Sequence, residues 1–280
     1  MRRVALLGLS ANPPTDFSGH GALVVHLAES GECDEVWLLP VYVHIFSTKR
    51  VMERFEHRLH MCEILAERTS TERVRVLALD LERVVYEEEC RKAVASTSPG
   101  RAAEVSVGTI DIIRYIQQHF KEVEISSINL GADSYNDLVK GRWKCYSDIL
   151  REVQINVYLR AGFDNPSPAP LYAKDVKMYQ LDSLGFTSST DVRNSCPGVL
   201  ADWPFSIPCF INRHKRTVAV LSEVYDYMRS AKIYFYSDFS VNRRLRWRSS
   251  FIVIACMMCL NLRSTLIEQS TGAGTMIGGA

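Results

Sequence analysis

What this chain lacks narrows its reading first. Its apolar tail segment, Phe251–Leu260, is ten residues long, about half of the ~20 that a membrane-spanning helix needs, so no stable span is expected. Net charge is only +1 at pH 7, which argues against a broad basic surface and hence against nucleic acid as a partner. The eight cysteines include one CxxC, Cys256–Cys259, but no second pair at metal-ligand spacing, so a zinc site is not expected. There is no secretory leader pattern and the first strand-like run opens at Val4, pointing to a cytoplasmic protein with reduced thiols. No internal repeat and no glycine-rich phosphate loop are visible. Any anion site must therefore be assembled locally from several segments.

What is present fits an α/β domain. Of the 280 residues, 47% are apolar and 23% charged, enough to bury a substantial core. Strand-like runs recur at 4–9, 35–41, 74–81, 125–131, 155–160 and 177–181, and helical patterns lie between them. Over 53–68 the spacing predicts a helix with Phe55, Leu59, Cys62 and Ala66 on its buried face, and over 109–120 one that stacks Ile112, Ile116 and Phe120. His57 and Arg58 read as part of the first helix's polar face. Apolar strands alternating with helices indicate a doubly wound parallel sheet, a Rossmann-like fold. The polar, small-residue stretch 87–105 reads as a long loop. Residues 1–236 form one expected domain and 237–280 a C-terminal extension.

Three segments at strand ends carry candidate chemistry. "GLSANPPTDFSGHG" (8–21) leads from the first strand into a helix. His20 at that helix start either caps it or, beside the helix N–H groups, meets a phosphate. After the second strand, Lys49 and Arg50 are either a solvated pair or a mobile phosphate contact, and His44 either packs in the loop or lines a pocket. "GFTSSTDVRNS" (185–195) places Ser188, Ser189 and Thr190 at the start of a helix whose first turns carry Asp191 and Arg193. That is a capping run or a cradle for a polyphosphate. In a doubly wound sheet the carboxyl ends of the strands share one edge, so the three segments are expected to converge there.

Taken in order, "GLSANPPTDFSGH", "LLPVYVHIFSTKR…FEHRLHM", "GTIDII", "NLGADSYNDL…RWK", "YLRAG" and "SSTDVR" resemble the HxGH nucleotidyltransferase superfamily, and within it the nicotinate or nicotinamide mononucleotide adenylyltransferases. The resemblance covers roughly residues 3–236 and closes on "VLSEVYDYMRSAKIYFY", similar to that family's last helix. It implies attack of a mononucleotide phosphate on the α-phosphorus of ATP, with Mg²⁺ accompanying the ATP, pyrophosphate leaving and no covalent enzyme intermediate. It implies His20, Lys49 and Arg193 as the catalytic groups. Gly8, Ser10, Asn12, Thr15, Gly19, Gly131, Asp133, Ser188, Ser189 and Thr190 would bind ATP. His44, Trp143 and Arg160 would face the pyridine mononucleotide, and no residue would be a dedicated metal ligand. A homo-oligomer is compatible with the family. The signature turn departs from its usual form: Thr15 stands at the first histidine position, two extra residues precede Gly19–His20, and Leu9 replaces a second glycine. The insertion is either absorbed or swings His20 out of the crevice. A cytidylyltransferase with a phospho-alcohol acceptor and a catalytically weak nucleotide-binding protein are the competing readings.

Overall fold

Among the described residues six parallel strands build the sheet, in the spatial order β3-β2-β1-β4-β5-β6. They are β1 (Arg2–Leu9), β2 (Glu35–Pro40), β3 (Arg75–Ala78), β4 (Val123–Gly131), β5 (Ile155–Leu159) and β6 (Val176–Gln180). The computed structural model describes residues 1–44, 52–96, 105–160, 166–185, 188–195 and 220–234. Lys49, Arg50 and the extension 237–280 lie outside the described residues. The described elements before Tyr234 belong to one compact unit, Met1–Ile233.

The strand order follows from the crossovers. β1 pairs with β2 on one side and β4 on the other, so the chain winds outward from β1 in both directions. That leaves a crevice at the carboxyl ends of β1 and β4. β2 is buried along all six residues, as a central parallel strand covered on both faces must be. β6 is an edge strand and alternates between partly buried and exposed.

Helices cover both faces. They are α1 (His20–Glu29), α2 (Phe55–Thr69), α3 (Leu81–Ser96), α4 (Thr109–His119), α5 (Ala132–Val139), α6 (Tyr146–Glu152), α7 (Ser189–Ser195) and α8 (Ser222–Ser230). α4 serves two cores at once. Ile110 and Ile113 pack with Ile128, Leu138 and Ile155. Ile112 and Ile116 join Val4, Leu6 and Trp37, with Phe120 against them, as the periodicity predicts.

Two expectations are corrected. Residues 87–96 are helical, not loop, because α3 runs to Ser96. The segment lacks a continuous apolar stripe, but Glu, Arg, Lys and Ala favour helix, and Lys92 pairs with Glu88 at 2.8 Å and Glu89 at 2.9 Å one turn back. The second correction concerns α2. Its buried residues are Phe55, Arg58, Met61, Cys62, Leu65, Ala66 and Thr69, while Leu59 is only partly covered. Arg58, read from sequence as polar face, is 1% exposed. His57 sits toward α8 instead, its Nδ1 2.7 Å from the Tyr227 hydroxyl.

Candidate active site

A cavity of about 690 Å³ opens at the carboxyl ends of the strands, within the range of small-ligand sites. It is lined from the β1 side by Gly8, Ser10, Asn12, Thr15, Gly19 and His20. His44 borders it after β2, Gly131 and Asp133 after β4, and Arg160 after β5, with Trp143 beside them. Ser188, Ser189, Thr190 and Arg193 close it from α7. The structure thus brings together every residue expected there from sequence that falls among the described residues; Lys49 falls outside them.

The β1 turn shows how local chemistry sets the site. The Thr15 backbone N–H donates to His20 Nδ1 at 3.0 Å, and the Thr15 hydroxyl lies 2.8 Å from the same nitrogen. The His20 N–H donates back to Thr15 Oγ1 at 2.8 Å. A main-chain N–H can only donate, so Nδ1 is an acceptor and the neutral ring carries its proton on Nε2. Burial lowers the His20 pKa to about 4, and the positive charge of Arg160 adds to that. His20 is accordingly a neutral donor at physiological pH.

The two-residue insertion is absorbed within the turn. Asp16 Oδ1 accepts from the Ser18 N–H at 2.8 Å and from its hydroxyl at 2.7 Å, and Asp16 C=O accepts from Gly19 and Gly21 at 3.0 Å each. Ser18 C=O then receives the Gly185 N–H at 2.9 Å, so the added turn also braces the approach to α7. Gly19 is required by space: a Cβ there would lie 2.1 Å from Thr15 Oγ1. One expectation changes here. The N–H groups of His20, Gly21 and Ala22 are taken by Thr15, Asp16 and Gly19, so an anion must be met by side chains rather than by those amides.

α7 is docked onto the same turn. Ser188 caps it, exchanging hydrogen bonds with Asp191 at 2.9 Å and 3.2 Å. The Ser189 hydroxyl donates to Pro13 C=O at 2.7 Å. Arg193 donates to Asn12 C=O through Nη1, and to Thr190 Oγ1 through Nη2 at 3.0 Å. The Asn12 side chain in turn accepts the Glu53 N–H at 3.1 Å.

On the far side, Trp143 packs against the core under β4 and β5 while lining the cavity. Its neighbour Lys144 pairs with Asp111 at 2.9 Å, and Asp111 accepts the Gly108 N–H at 2.8 Å, closing the start of α4. Sequence reasoning missed Glu82, which also lines the cavity. Burial pushes its carboxyl up to about 7, against the Tyr42 N–H and the Arg58 charge, which lower it. Nothing in the local pattern of "LERVV" separates Glu82 from an ordinary first-turn acid.

Comparisons place these features in a family. The sequence profile of the cytidylyltransferase-like family matches residues 10–195. A Myxococcus xanthus protein named "Probable nicotinate-nucleotide adenylyltransferase" is 32% identical over 165 residues, 59% of this chain and 72% of that protein. A Bacillus licheniformis protein of the same name is 22% identical over 183 residues, covering 65% and 82%. The structure of Plasmodium falciparum nicotinic acid mononucleotide adenylyltransferase complexed with NaAD superposes with a TM-score of 0.59 at 14% identity, over 85% of this chain and 99% of that one, a likeness of fold. Turn, cradle and cavity therefore agree with the sequence relationship, and the chain belongs to the cytidylyltransferase-like family of nucleotidyltransferases.

Proposed function

We propose that the enzyme transfers the adenylyl group of ATP to the phosphate of a pyridine mononucleotide, nicotinate mononucleotide first, and so makes the dinucleotide in NAD biosynthesis. The observation that carries this reading is the meeting of two unlike ends in one cavity. One end has a neutral histidine donor beside an α7 cradle with Arg193; the other has Trp143 with a flat apolar face. The names of the two curated relatives support adenylyl transfer and this acceptor.

In this reading a phosphate oxygen of the mononucleotide attacks the α-phosphorus of ATP, and the bond from that phosphorus to the α,β-bridging oxygen breaks. Pyrophosphate leaves with the bond's electron pair. His20 donates from Nε2 to the charge that grows on the phosphate oxygens, which is electrostatic stabilisation rather than proton abstraction. Ser188, Ser189, Thr190 and Arg193 hold the β- and γ-phosphates, Gly131 and Asp133 meet the ribose, and Trp143 stacks on the pyridine with His44 and Arg160 nearby. Lys49 serves the transferring phosphates. Mg²⁺ enters as part of the MgATP substrate; among the described residues no group of three or more His, Cys, Asp or Glu is arranged to hold a metal, and phosphates and water are its natural ligands. In this reading residues 1–236 carry the activity and the enzyme works in the cytoplasm.

The test is direct. Purified protein with MgATP and either pyridine mononucleotide should yield dinucleotide and pyrophosphate in equal amounts. Turnover of CTP with a phospho-alcohol, and none with either mononucleotide, would replace this reading.

A further inference from the structure

Among the described residues Arg58 is the most deeply buried charged side chain, and the proposed chemistry does not use it. The residue is 1% exposed, and its guanidinium donates to three main-chain carbonyls from separate places in the chain. Nε reaches Glu53 C=O at 2.8 Å, and Nη1 reaches Ser10 C=O at 2.9 Å and Val41 C=O at 2.6 Å. Val41 is where the chain leaves β2, its own N–H still bonded to Leu9 C=O at 3.0 Å. Glu53 lies two residues before α2 begins at Phe55. Ser10 belongs to the turn that carries His20. One planar fork therefore joins both ends of segment 42–52 to the β1 turn.

The peptide joining Val41 to Tyr42 is gripped from both sides. Its C=O goes to Arg58 on α2, and its N–H goes to Glu82 Oε2 on α3 at 2.9 Å. The Tyr42 ring is seated against Phe55 and Tyr86, with ring centres 5.0 Å and 5.3 Å away. Two residues later comes His44, and just before Glu53 comes Met52; both line the cavity.

Stability alone does not call for a guanidinium here, since a buried charge is costly and an apolar side chain of similar volume often serves a core as well. What Arg58 adds is registration. Its rigid set of donors can satisfy several carbonyls at fixed angles, which a lysine ammonium does not reproduce.

We infer that Arg58, together with Glu82, is a positioning pair that sets the mononucleotide side of the cavity, at His44 and Met52, in register with the phosphate-binding turn at Ser10–His20. The inference rests on the proposed two-substrate reaction. Each substrate can bind its own side of the cavity, but the distance between sides matters only when the acceptor phosphate meets the α-phosphorus. A displacement of about 1 Å can cost on the order of a hundredfold in rate. The signature is a loss in kcat that exceeds the change in either KM.

The experiment compares R58K, E82A and the double variant with the parent, at a temperature well below each thermal midpoint. R58K keeps the charge and loses the fork; E82A removes the acceptor for the Tyr42 N–H. We expect R58K to fold with the parental circular dichroism spectrum and to lose about tenfold to a hundredfold in kcat, with smaller changes in both KM values. E82A should move kcat in the same direction. Because both residues hold one peptide, the double variant should lose less than the product of the single losses. In ¹³C-methyl spectra the Met52 signal should shift in R58K while that of Met178, on the edge strand, stays. Parental kcat in R58K, with only a lowered midpoint, would overturn the inference. So would single effects that multiply independently, or an unmoved Met52 signal. If R58K fails to fold, E82A decides: an unchanged kcat there refutes the pairing. Failure of the functional reading is seen separately, in the parent making no dinucleotide, and the Met52 comparison still judges the inference.

Discussion

Thr15 and His20 hold each other in both directions. The Thr15 N–H and hydroxyl converge on Nδ1, and the His20 N–H returns to Thr15 Oγ1. The threonine thus fixes both the place of the ring and the nitrogen that bears its proton.

His20→Ala should lower kcat by about a hundredfold to a thousandfold, the usual effect of removing a donor aimed at charge that develops in the transition state. KM for ATP should change little, since Arg193 and the Ser188–Ser189 hydroxyls remain. Steady-state kinetics with MgATP and the mononucleotide checks this; a parental kcat would move the donor elsewhere, with His44 next to be tested.

Gly19→Ala places a methyl 2.1 Å from Thr15 Oγ1. The hydroxyl cannot turn away without releasing His20, so the variant should lose stability, by about 1–3 kcal/mol for an overpacked site, and most of its turnover. Adding Thr15→Ala removes the hydroxyl but leaves the residue's Cβ 2.9 Å from the new methyl, so the double variant should regain only part of the thermal midpoint lost in G19A, and not parental kcat. Calorimetry and kinetics on the three proteins separate the two effects.

Arg193→Ala should act in the opposite sense to H20A. In the proposed reaction its charge meets phosphates already ionised in the ground state, so KM for ATP should rise by about tenfold or more with a smaller change in kcat. Part of the rise comes from α7, which loses its tie to Asn12 C=O. Titration of ATP binding by calorimetry provides the check.

The pH dependence of stability has two opposed contributions. Burial, assisted by Arg160, lowers His20 from 6.5 to about 4, so the folded state holds fewer protons between those values and stability is lost as pH falls through them. Burial raises Glu82 from 4.5 to about 7, so the folded state holds more protons there and stability is lost as pH rises. Between about 4.5 and 6.5 the two slopes oppose each other. Glu82→Gln keeps an acceptor for the Tyr42 N–H and removes the second contribution. Its thermal midpoint should therefore fall more steeply than the parent's on acidification from 6.5 to 4.5. Parallel midpoint curves would contradict this.

A chain ending at Tyr236 should fold and turn over like the full protein. Among the described residues, those that line the cavity all precede Asn194, and the sequence of the extension carries no motif of the reaction. Loss of most activity on truncation would show that residues 237–280 contribute to the core or the site.

The alternation of apolar strands and helices made the sheet legible, and the strand-end rule then foretold that segments 8–21, 185–195 and the loop after β2 share one edge. The Ser188–Asp191 cap was legible too, because its partners are three residues apart. Arg58 was not. Its burial depends on carbonyls of Ser10, Val41 and Glu53, two of them far away in the chain, and a helical period reports only where apolar side chains recur. Glu82 was missed for the same reason, since its partner Tyr42 lies forty residues earlier. The second half of α3 escaped because ion pairs, rather than an apolar stripe, mark it.

The turn at Asp16–Ser18 has a consequence for how such enzymes diversify. By folding its extra length outward, with Phe17 48% exposed, and closing it through the Asp16 carboxylate, the chain separates the spacing of its signature from the geometry of its chemistry. Natural variation can lengthen this hairpin-like detour, or decorate it, while Thr15 and His20 stay in contact. Distant members of the family are then better recognised by which two residues touch than by how many lie between them.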